Sequence, residues 1–280
     1  SYAVDAVIAM HDVDAFEDEV SAYPAIVVLR NGAQGKAVVA EANAAFDEGD
    51  VPRFTAWAKR GRRKVVTASS YEATRVDHWF SGRDLWPAGS PSQLSLIADL
   101  ESRFPPLQDP STGTVVGIGL ASGCDDVYIT ADPPPVEADR LLPMLQAGDI
   151  ASGSVVWSGA HLVNPWESDG SLVELDAYPE LRAYLAAFEQ RLRGRFVARR
   201  RPELWYRTID KVNPTLAGQP KLLLPDLKAT AHPVLDEGGF YPHHNLYFVT
   251  SNTWGLEVLG GLLLSDFANL FVGAYCVKMR

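Results

Sequence analysis

The middle of the chain contains two short β-type segments around a glycine-rich bend, Thr114-Val-Val-Gly-Ile-Gly119 and Asp126-Val-Tyr-Ile-Thr130. β-Branched and aromatic residues favour strands, and glycines between them favour a tight bend, so the two segments predict a strand pair. Gly117, Gly119 and Gly123 resemble a dinucleotide-binding pattern. However, their spacing is G-x-G-x-x-x-G, and the sequence predicts no helix after them whose N-terminus would bind a phosphate. The bend is therefore expected to be structural.

The sequence beyond this bend predicts strands and two helical regions. Tyr178 to Leu192 carries apolar residues at spacings of three and four, which is typical of an amphipathic helix. The region from Leu256 to Ala274 is predicted to be helical, with a break near Ser265. Strands are predicted at Val155–Trp157, Leu162–Val163, Leu204–Thr208, Lys221–Leu224 and Leu246–Thr250.

The sequence before the bend predicts a smaller mixed unit. Strands are expected at Val4–Ile8, Ala25–Leu29 and Lys36–Ala40, the last two as a hairpin. Helical segments are expected at Asp14–Val20, Val51–Lys59 and Ser92–Phe104. Residues 61–90 have no strong period and predict a linker or an irregular wrap. The expected fold class is α/β (α+β), with domains at 1–60, 61–112 and 113–280.

Composition limits the functional classes. The 280 residues carry a net charge of −10 and only two cysteines, Cys124 and Cys276, which form no C-x-x-C pair. A disulfide framework or zinc cluster is not expected, and no apolar run is long enough for a membrane span. These features predict a cytoplasmic protein. The β-type start and the abrupt apolar end predict an excised fragment.

Positive charge is concentrated in one segment. Between Arg182 and Lys228 there are eleven basic and four acidic residues, an excess of seven positive charges, whereas the remainder of the chain carries seventeen negative charges. A polyanion would be attracted to this segment and repelled by the rest. The alternative interpretation is a solvated helix face followed by an exposed loop.

Two short motifs suggest other chemistry. Asp132-Pro-Pro-Pro135 comes close to the Asp/Asn-Pro-Pro-aromatic motif of amino-methylating enzymes, but it lacks the aromatic residue that stacks on a flipped base, so it predicts a rigid loop. Asp210, Asp226 and Lys228 match the loose pattern of metal-dependent nucleases. A nuclease is therefore an alternative function. A protein-interaction module using the acidic first half is another.

Several stretches, taken in order, resemble one family. They are Val116-Gly-Ile-Gly-Leu-Ala-Ser-Gly-Cys-Asp-Asp-Val-Tyr-Ile129, Leu142-Pro-Met-Leu-Gln-Ala-Gly-Asp149, Tyr178-Pro-Glu-Leu-Arg-Ala-Tyr-Leu185, Trp205-Tyr206, Pro220-Lys-Leu-Leu-Leu-Pro225 and Leu259-Gly-Gly-Leu-Leu-Leu-Ser265. This set resembles the target-recognition (specificity) domain of adenine-specific DNA methyltransferases of restriction-modification type. Residues 2–41 resemble the last strands of the Rossmann-like catalytic domain in the same proteins.

The resemblance implies that the parent protein binds S-adenosylmethionine and methylates a flipped adenine in double-stranded DNA. It also implies that this chain partners an upstream catalytic domain. The cofactor glycine motif and the Asn-Pro-Pro-aromatic motif do not occur here, so no catalytic residue, cofactor-binding residue or bound cofactor is expected in this chain. The leading hypothesis is a target-recognition fragment that binds duplex DNA but does not methylate it alone.

Residue type and position in the resembling domain indicate which side chains contact DNA. Arginine and lysine can hold phosphates, whereas asparagine, histidine and aromatic groups can contact or stack on bases. The predicted contacts are Arg199, Arg200, Arg201, Trp205, Tyr206, Lys211, Lys221, Lys228, His243, His244 and Asn245. Because neighbouring residues on a strand point to opposite faces, His243 and His244 are not expected to share a metal ion. No metal site is predicted.

Overall fold

The computed structural model describes residues 2–10, 13, 24–60, 62–77, 79, 91–225 and 231–275. The chain divides into two compact units. Unit 1 comprises Ser1–Phe104 and Leu270–Lys278, and unit 2 comprises Pro105–Asn269 and Met279–Arg280. Both units combine helices with β-sheet, which confirms the predicted mixed α/β class.

Unit 1 is built on a five-stranded sheet with the strand order β2-β1-β3-β5-β4. Its strands are β1 Tyr2–Ala9, β2 Ala25–Asn31, β3 Ala37–Ala42, β4 Val65–Thr67 and β5 Tyr71–Val76. The parallel pair is β1 with β3, and the remaining pairs are antiparallel. The predicted hairpin of β2 and β3 is wrong because β1 lies between them. The prediction of a linker or an irregular wrap at residues 61–90 is wrong where the strands β4 and β5 form. The predicted turn at 14–20 lies outside the described residues.

Two helices of unit 1 form where the sequence predicts them, α1 Asp50–Arg60 and α2 Pro91–Arg103. The central strand β3 is buried at five of its six residues, as expected for a continuous apolar strand with neighbours on both edges. Phe54 of α1 packs on Tyr71 and so covers one face of the sheet.

Unit 2 contains two four-stranded sheets, ordered β11-β10-β13-β6 and β12-β8-β9-β7. The strands are β6 Val115–Ile118, β7 Ile129–Thr130, β8 Leu141–Leu145, β9 His161–Val163, β10 Lys221–Pro225, β11 Val234–Asp236, β12 Tyr241–Pro242 and β13 Leu246–Thr250. The predicted pairing of β6 with residues 126–130 is wrong, because β6 pairs with β13. Residues 155–157 lie outside the strands, so that prediction is also wrong.

Among the described residues after Phe104 there are seven α-helices, several of them only one turn long. They are α3 Asp125–Tyr128, α4 Pro179–Ala186, α5 Glu189–Arg193, α6 Phe196–Arg200, α7 Pro214–Gly218, α8 Leu256–Leu264 and α9 Asp266–Tyr275. The predicted break at Ser265 is confirmed. The helix predicted from Tyr178 to Leu192 is interrupted at Phe188, whose backbone leaves the helical region. Residues 204–208, predicted as a strand, end a 3-10 helix and continue as a turn.

The core of unit 2 determines which way the basic helices face. Leu181 and Leu185 of α4 and Leu192 of α5 are fully buried, together with Tyr128 of α3. Because these apolar side chains occupy one side of each helix, the charged residues between them are left on the solvent side. The packing thus exposes the arginines of this segment.

No single helix among the described residues is long and apolar enough to cross a membrane. The helices α8 and α9 meet the length and composition criteria only as a pair, and they bend by 66° at their junction.

Candidate nucleic-acid interface

The first basic residues of the positive segment are neutralised locally. Three exposed arginines form surface ion pairs, Arg182 with Asp176, Arg191 with Asp126 and Arg193 with Glu189. The hydrogen bond from Arg191 is the main cause that lowers the pKa of the Asp126 carboxyl below its ordinary value. Exposed ion pairs of this kind stabilise the fold little, but in each pair the carboxylate neutralises the charge of the arginine. These arginines therefore add little to a site for a polyanion.

Two further arginines bind backbone carbonyls. Arg195 donates from Nε to Leu192 O, from Nη1 to Ser122 O, and from Nη2 to the carbonyls of Trp205 (2.8 Å) and Arg207 (2.7 Å). Arg207 donates from Nε to Thr208 O and from Nη2 to Ile209 O. The guanidinium of Arg195 thus connects three chain segments. These contacts occupy four of the five N–H donors of Arg195 and two of the five of Arg207.

Arg199, Arg200 and Arg201 differ from these arginines. All three are exposed, at the end of α6 and immediately after it, and none forms an ion pair with a carboxylate among the described residues. The guanidinium of Arg200 lies 5.7 Å from the ring centre of Phe196, which is 69% exposed. Three consecutive cations without carboxylate partners among the described residues provide N–H groups that can donate to a phosphate.

An open cleft of about 740 Å³ lies beside these arginines. Its walls carry Arg195, Arg200, Arg201 and Arg207, with the apolar side chains of Phe196, Val197 and Ile209, and Gly123. Ile209 and Phe196 expose 48% and 69% of their surface. Phe196, Ile209 and Gly123 are not among the predicted contacts. An apolar residue beside a charged helix ordinarily predicts burial, and a glycine has no side chain that would indicate a contact.

The structure removes Lys221 from the predicted DNA contacts. Lys221 is fully buried, and its Nζ lies 2.7 Å from Asp236 Oδ2 and donates to Gln219 O. Burial lowers the pKa of Lys221, although the Asp236 carboxylate acts in the opposite direction. The prediction of DNA contact is wrong here, because the ammonium group is buried and its charge is paired.

Trp205 and Tyr206 pack against the core of unit 2 instead of projecting into solvent. The Tyr206 hydroxyl donates to Val173 O, and its backbone carbonyl accepts from Tyr128. Burial raises the pKa of Tyr206. Trp205 is half-buried, with the Arg193 guanidinium 5.0 Å from its ring centre. Both rings are largely engaged in packing, and DNA contact by Trp205 and Tyr206 stays a prediction.

The structure describes one of the three residues of the nuclease alternative. Asp226 and Lys228, the latter also predicted to contact DNA, lie outside the described residues. Asp210 uses Oδ2 to accept from the backbone N–H of Ala121 at 2.8 Å, so its carboxylate stabilises the bend beside the cleft. Lys211 is exposed and lies 5.6 Å from the ring centre of Trp166. Lys211 remains a predicted DNA contact.

The three polar residues at 243–245 have different environments. His243 is buried and His244 is exposed, and their ring centres lie 4.0 Å apart. The expectation that the two rings point to opposite faces is wrong, because His244 lies in a turn and not on a strand. Asn245 is half-buried and accepts from the backbone N–H of Ala147. His244 is thus the one of these three whose side chain is exposed enough to contact DNA.

The glycine-rich bend is explained by packing and does not fit a nucleotide cofactor. A Cβ on Gly119 would lie 2.1 Å from His243 O and 2.4 Å from Pro242 O, and a Cβ on Gly117 would lie 2.4 Å from the Phe248 ring. Protein atoms thus fill the space that a cofactor phosphate would need. The expectation that no helix follows the bend is wrong, since α3 begins at Asp125, but α3 is only one turn long.

The relatives of this chain are Type II methyltransferases, and no family model matches it. The chain is 39% identical over 286 residues to the Type II methyltransferase M.BstVI of Geobacillus stearothermophilus, covering 100% of this chain and 50% of that protein. It is 39% identical to M.PaeR7I of Pseudomonas aeruginosa (97% and 46% covered) and to M.XhoI of Xanthomonas vasicola (96% and 49%). The chain is thus homologous over its whole extent to about half the length of these enzymes, as the sequence resemblance predicted.

Two solved structures superpose on the chain. One is the type IIG restriction endonuclease BpuSI, with 14% identity and a TM-score of 0.41, covering 96% of this chain and 33% of that one. The other is the Type IIL restriction-modification enzyme MmeI in complex with DNA, with 10% identity and a TM-score of 0.47, covering 96% and 32%.

Proposed function

We propose that this chain binds double-stranded DNA and recognises the target sequence of an S-adenosylmethionine-dependent, adenine-specific DNA methyltransferase. The observation that carries the proposal is the group Arg199, Arg200 and Arg201, exposed and without carboxylate partners among the described residues. The homology to Type II methyltransferases supports it independently. Adenine specificity and the cofactor rest on the sequence resemblance alone.

Phosphate contacts would position the duplex, and neighbouring groups would contact the bases. The three arginines provide the phosphate donors, and Arg195 and Arg207 add positive potential at the cleft wall. Phe196 is the exposed apolar group at this surface, and apolar side chains of this kind can wedge against a base step. Lys211 and His244 are further proposed contacts.

No described residue is proposed to take part in methyl transfer. The parent activity, its cofactor and an upstream catalytic domain remain proposals derived from the resemblance. The expected cytoplasmic location also stays a prediction. What this chain would contribute is affinity for DNA and the choice of site.

Selection of duplexes from a random library tests target recognition on the chain itself. The expected result is enrichment of one short motif that contains an adenine, because base contacts discriminate between sequences by about 1–3 kcal/mol per base pair. Recovery of duplexes without any shared motif would show non-specific binding and contradict target recognition. A variant with Arg199→Glu, Arg200→Glu and Arg201→Glu should recover no duplexes above background.

A further inference from the structure

Three metal-ligating side chains from two distant segments meet at one point of unit 2. Asp125, His243 and His244 each present one ligand atom, and these atoms all lie within 4.8 Å of one another. His243 Nε2 lies 3.3 Å from Asp125 Oδ2. Of these three residues, the proposed function uses only His244, as a DNA contact.

The backbone holds these three residues together. Leu120 N donates to Pro242 O, and His244 N donates to Leu120 O, so the bend before α3 is bonded to the loop after β12. Asp125 lies in the first turn of α3, only five residues beyond Leu120. Its Oδ1 accepts a hydrogen bond from Ser122 Oγ, which leaves Oδ2 for His243. The cluster is therefore positioned by the fold and does not depend on flexible side chains alone.

The two histidines of this cluster differ in exposure. His243 is 5% exposed, and Nε2 is the nitrogen that faces Asp125, so an ion shared with Asp125 would bind Nε2. His244, in contrast, is exposed, so an ion bound between the two rings would retain a position open to solvent.

The donor set identifies the class of ion. Two imidazoles and one carboxylate suit zinc and similar transition metals, whereas magnesium and calcium prefer oxygen ligands alone. In a tetrahedral site with bonds of about 2.0–2.1 Å, neighbouring ligand atoms lie about 3.3 Å apart. The His243–Asp125 distance of 3.3 Å equals this edge.

We propose that Asp125, His243 and His244 form a binding site for a divalent transition-metal ion of the zinc type. The ion would cross-link α3 to the loop after β12, with water or another ligand at the fourth position. Gly123, two residues before Asp125, lines the arginine cleft, so the ion would also fix one border of that cleft. The site goes beyond the proposed function, and its failure would leave the DNA contacts proposed at Arg199, Arg200 and Arg201 untouched.

Titration of the 280-residue chain without a histidine tag, after removal of metals with a chelator, tests the site. Zinc chloride is added in competition with a chromophoric chelator, and cobalt chloride is added while the visible spectrum is recorded. We expect one ion per chain, a cobalt spectrum typical of four-coordinate geometry, and a higher melting temperature with zinc. Absence of stoichiometric binding at micromolar zinc would overturn the proposal.

His244→Ala is the decisive variant, because the exposed side chain can be removed without disturbing the core. It should weaken zinc binding at least about 100-fold, since loss of a supporting partner alone costs 10–100-fold. Asp125→Asn should weaken it similarly. His232→Ala, at another exposed histidine, is the matched control and should bind like the original chain. Equal affinity in the His244→Ala variant and the control would place the ion elsewhere and contradict the assignment.

Discussion

Removal of Arg199, Arg200 and Arg201, which form no ion pair with any residue that the structure describes, should change how DNA affinity depends on salt. In the variant Arg199→Ala, Arg200→Ala, Arg201→Ala, three candidate phosphate contacts are lost. Each contact with B-DNA contributes about −0.9 to the slope of log K against log salt, so the slope should become less negative by about 2.7. Between 50 and 200 mM salt, the affinity of the unmodified chain should therefore fall roughly 40-fold more than that of the variant.

Fluorescence anisotropy with a labelled duplex, repeated over this salt range, measures both slopes. The matched control removes the same number of charges at the ion-paired positions, Arg182→Ala, Arg191→Ala and Arg193→Ala. Because those arginines contact carboxylates, the control slope should change by less than about one third as much. Equal slopes in the two triple variants would refute the distinction between paired and unpaired arginines.

Three further predictions concern stability, and each is read from the denaturant midpoint. Lys221→Met should destabilise unit 2 by about 3–5 kcal/mol, because Asp236 is left buried and unpaired. Lys211→Met, at an exposed lysine, should have little effect on stability. Equal destabilisation by the two substitutions would contradict the buried ion pair. Gly119→Ala should lower the free energy of unfolding by about 3 kcal/mol or more, because the new Cβ would clash with backbone oxygens. A decrease below about 1 kcal/mol would argue against this packing. Burial raises the pKa of Tyr128, so the folded chain keeps the phenol proton above pH 10, where the unfolded chain releases it, and the free energy of unfolding falls as the pH rises. Tyr128→Phe should reduce this loss of stability between pH 9 and 11 by about 1 kcal/mol. An unchanged loss in the variant would exclude Tyr128 as its source.

Local pattern predicted the longer elements of the fold. The helices at 50–60 and 91–103, the strands at 221–225 and 246–250, and the break at Ser265 all follow from periodicity or propensity. Strand pairing did not follow, because pairing depends on contacts between distant segments. The strand β1 lies between β2 and β3, and nothing in the local sequence of the apparent hairpin indicates this.

In the candidate site, too, the sequence shows which residues are present but not which distant residues they contact. The sequence identifies arginine but not its partner, so Arg191, which pairs with Asp126, and Arg200, which stacks on an exposed ring, are equivalent before the fold is known. Lys221 was predicted as a surface contact from its charge. Its burial depends on Asp236, fifteen residues away on the neighbouring strand β11. The meeting of the two histidine rings likewise depends on the turn at His244.

Chemical modification of arginines with phenylglyoxal, with and without a duplex and read by mass spectrometry, tests the central claim most directly. Bound DNA should protect Arg199, Arg200 and Arg201 together, while Arg182, exposed but paired with Asp176, should react equally in both samples. Equal modification of the three arginines in the presence and absence of saturating DNA would show that the phosphate backbone binds elsewhere.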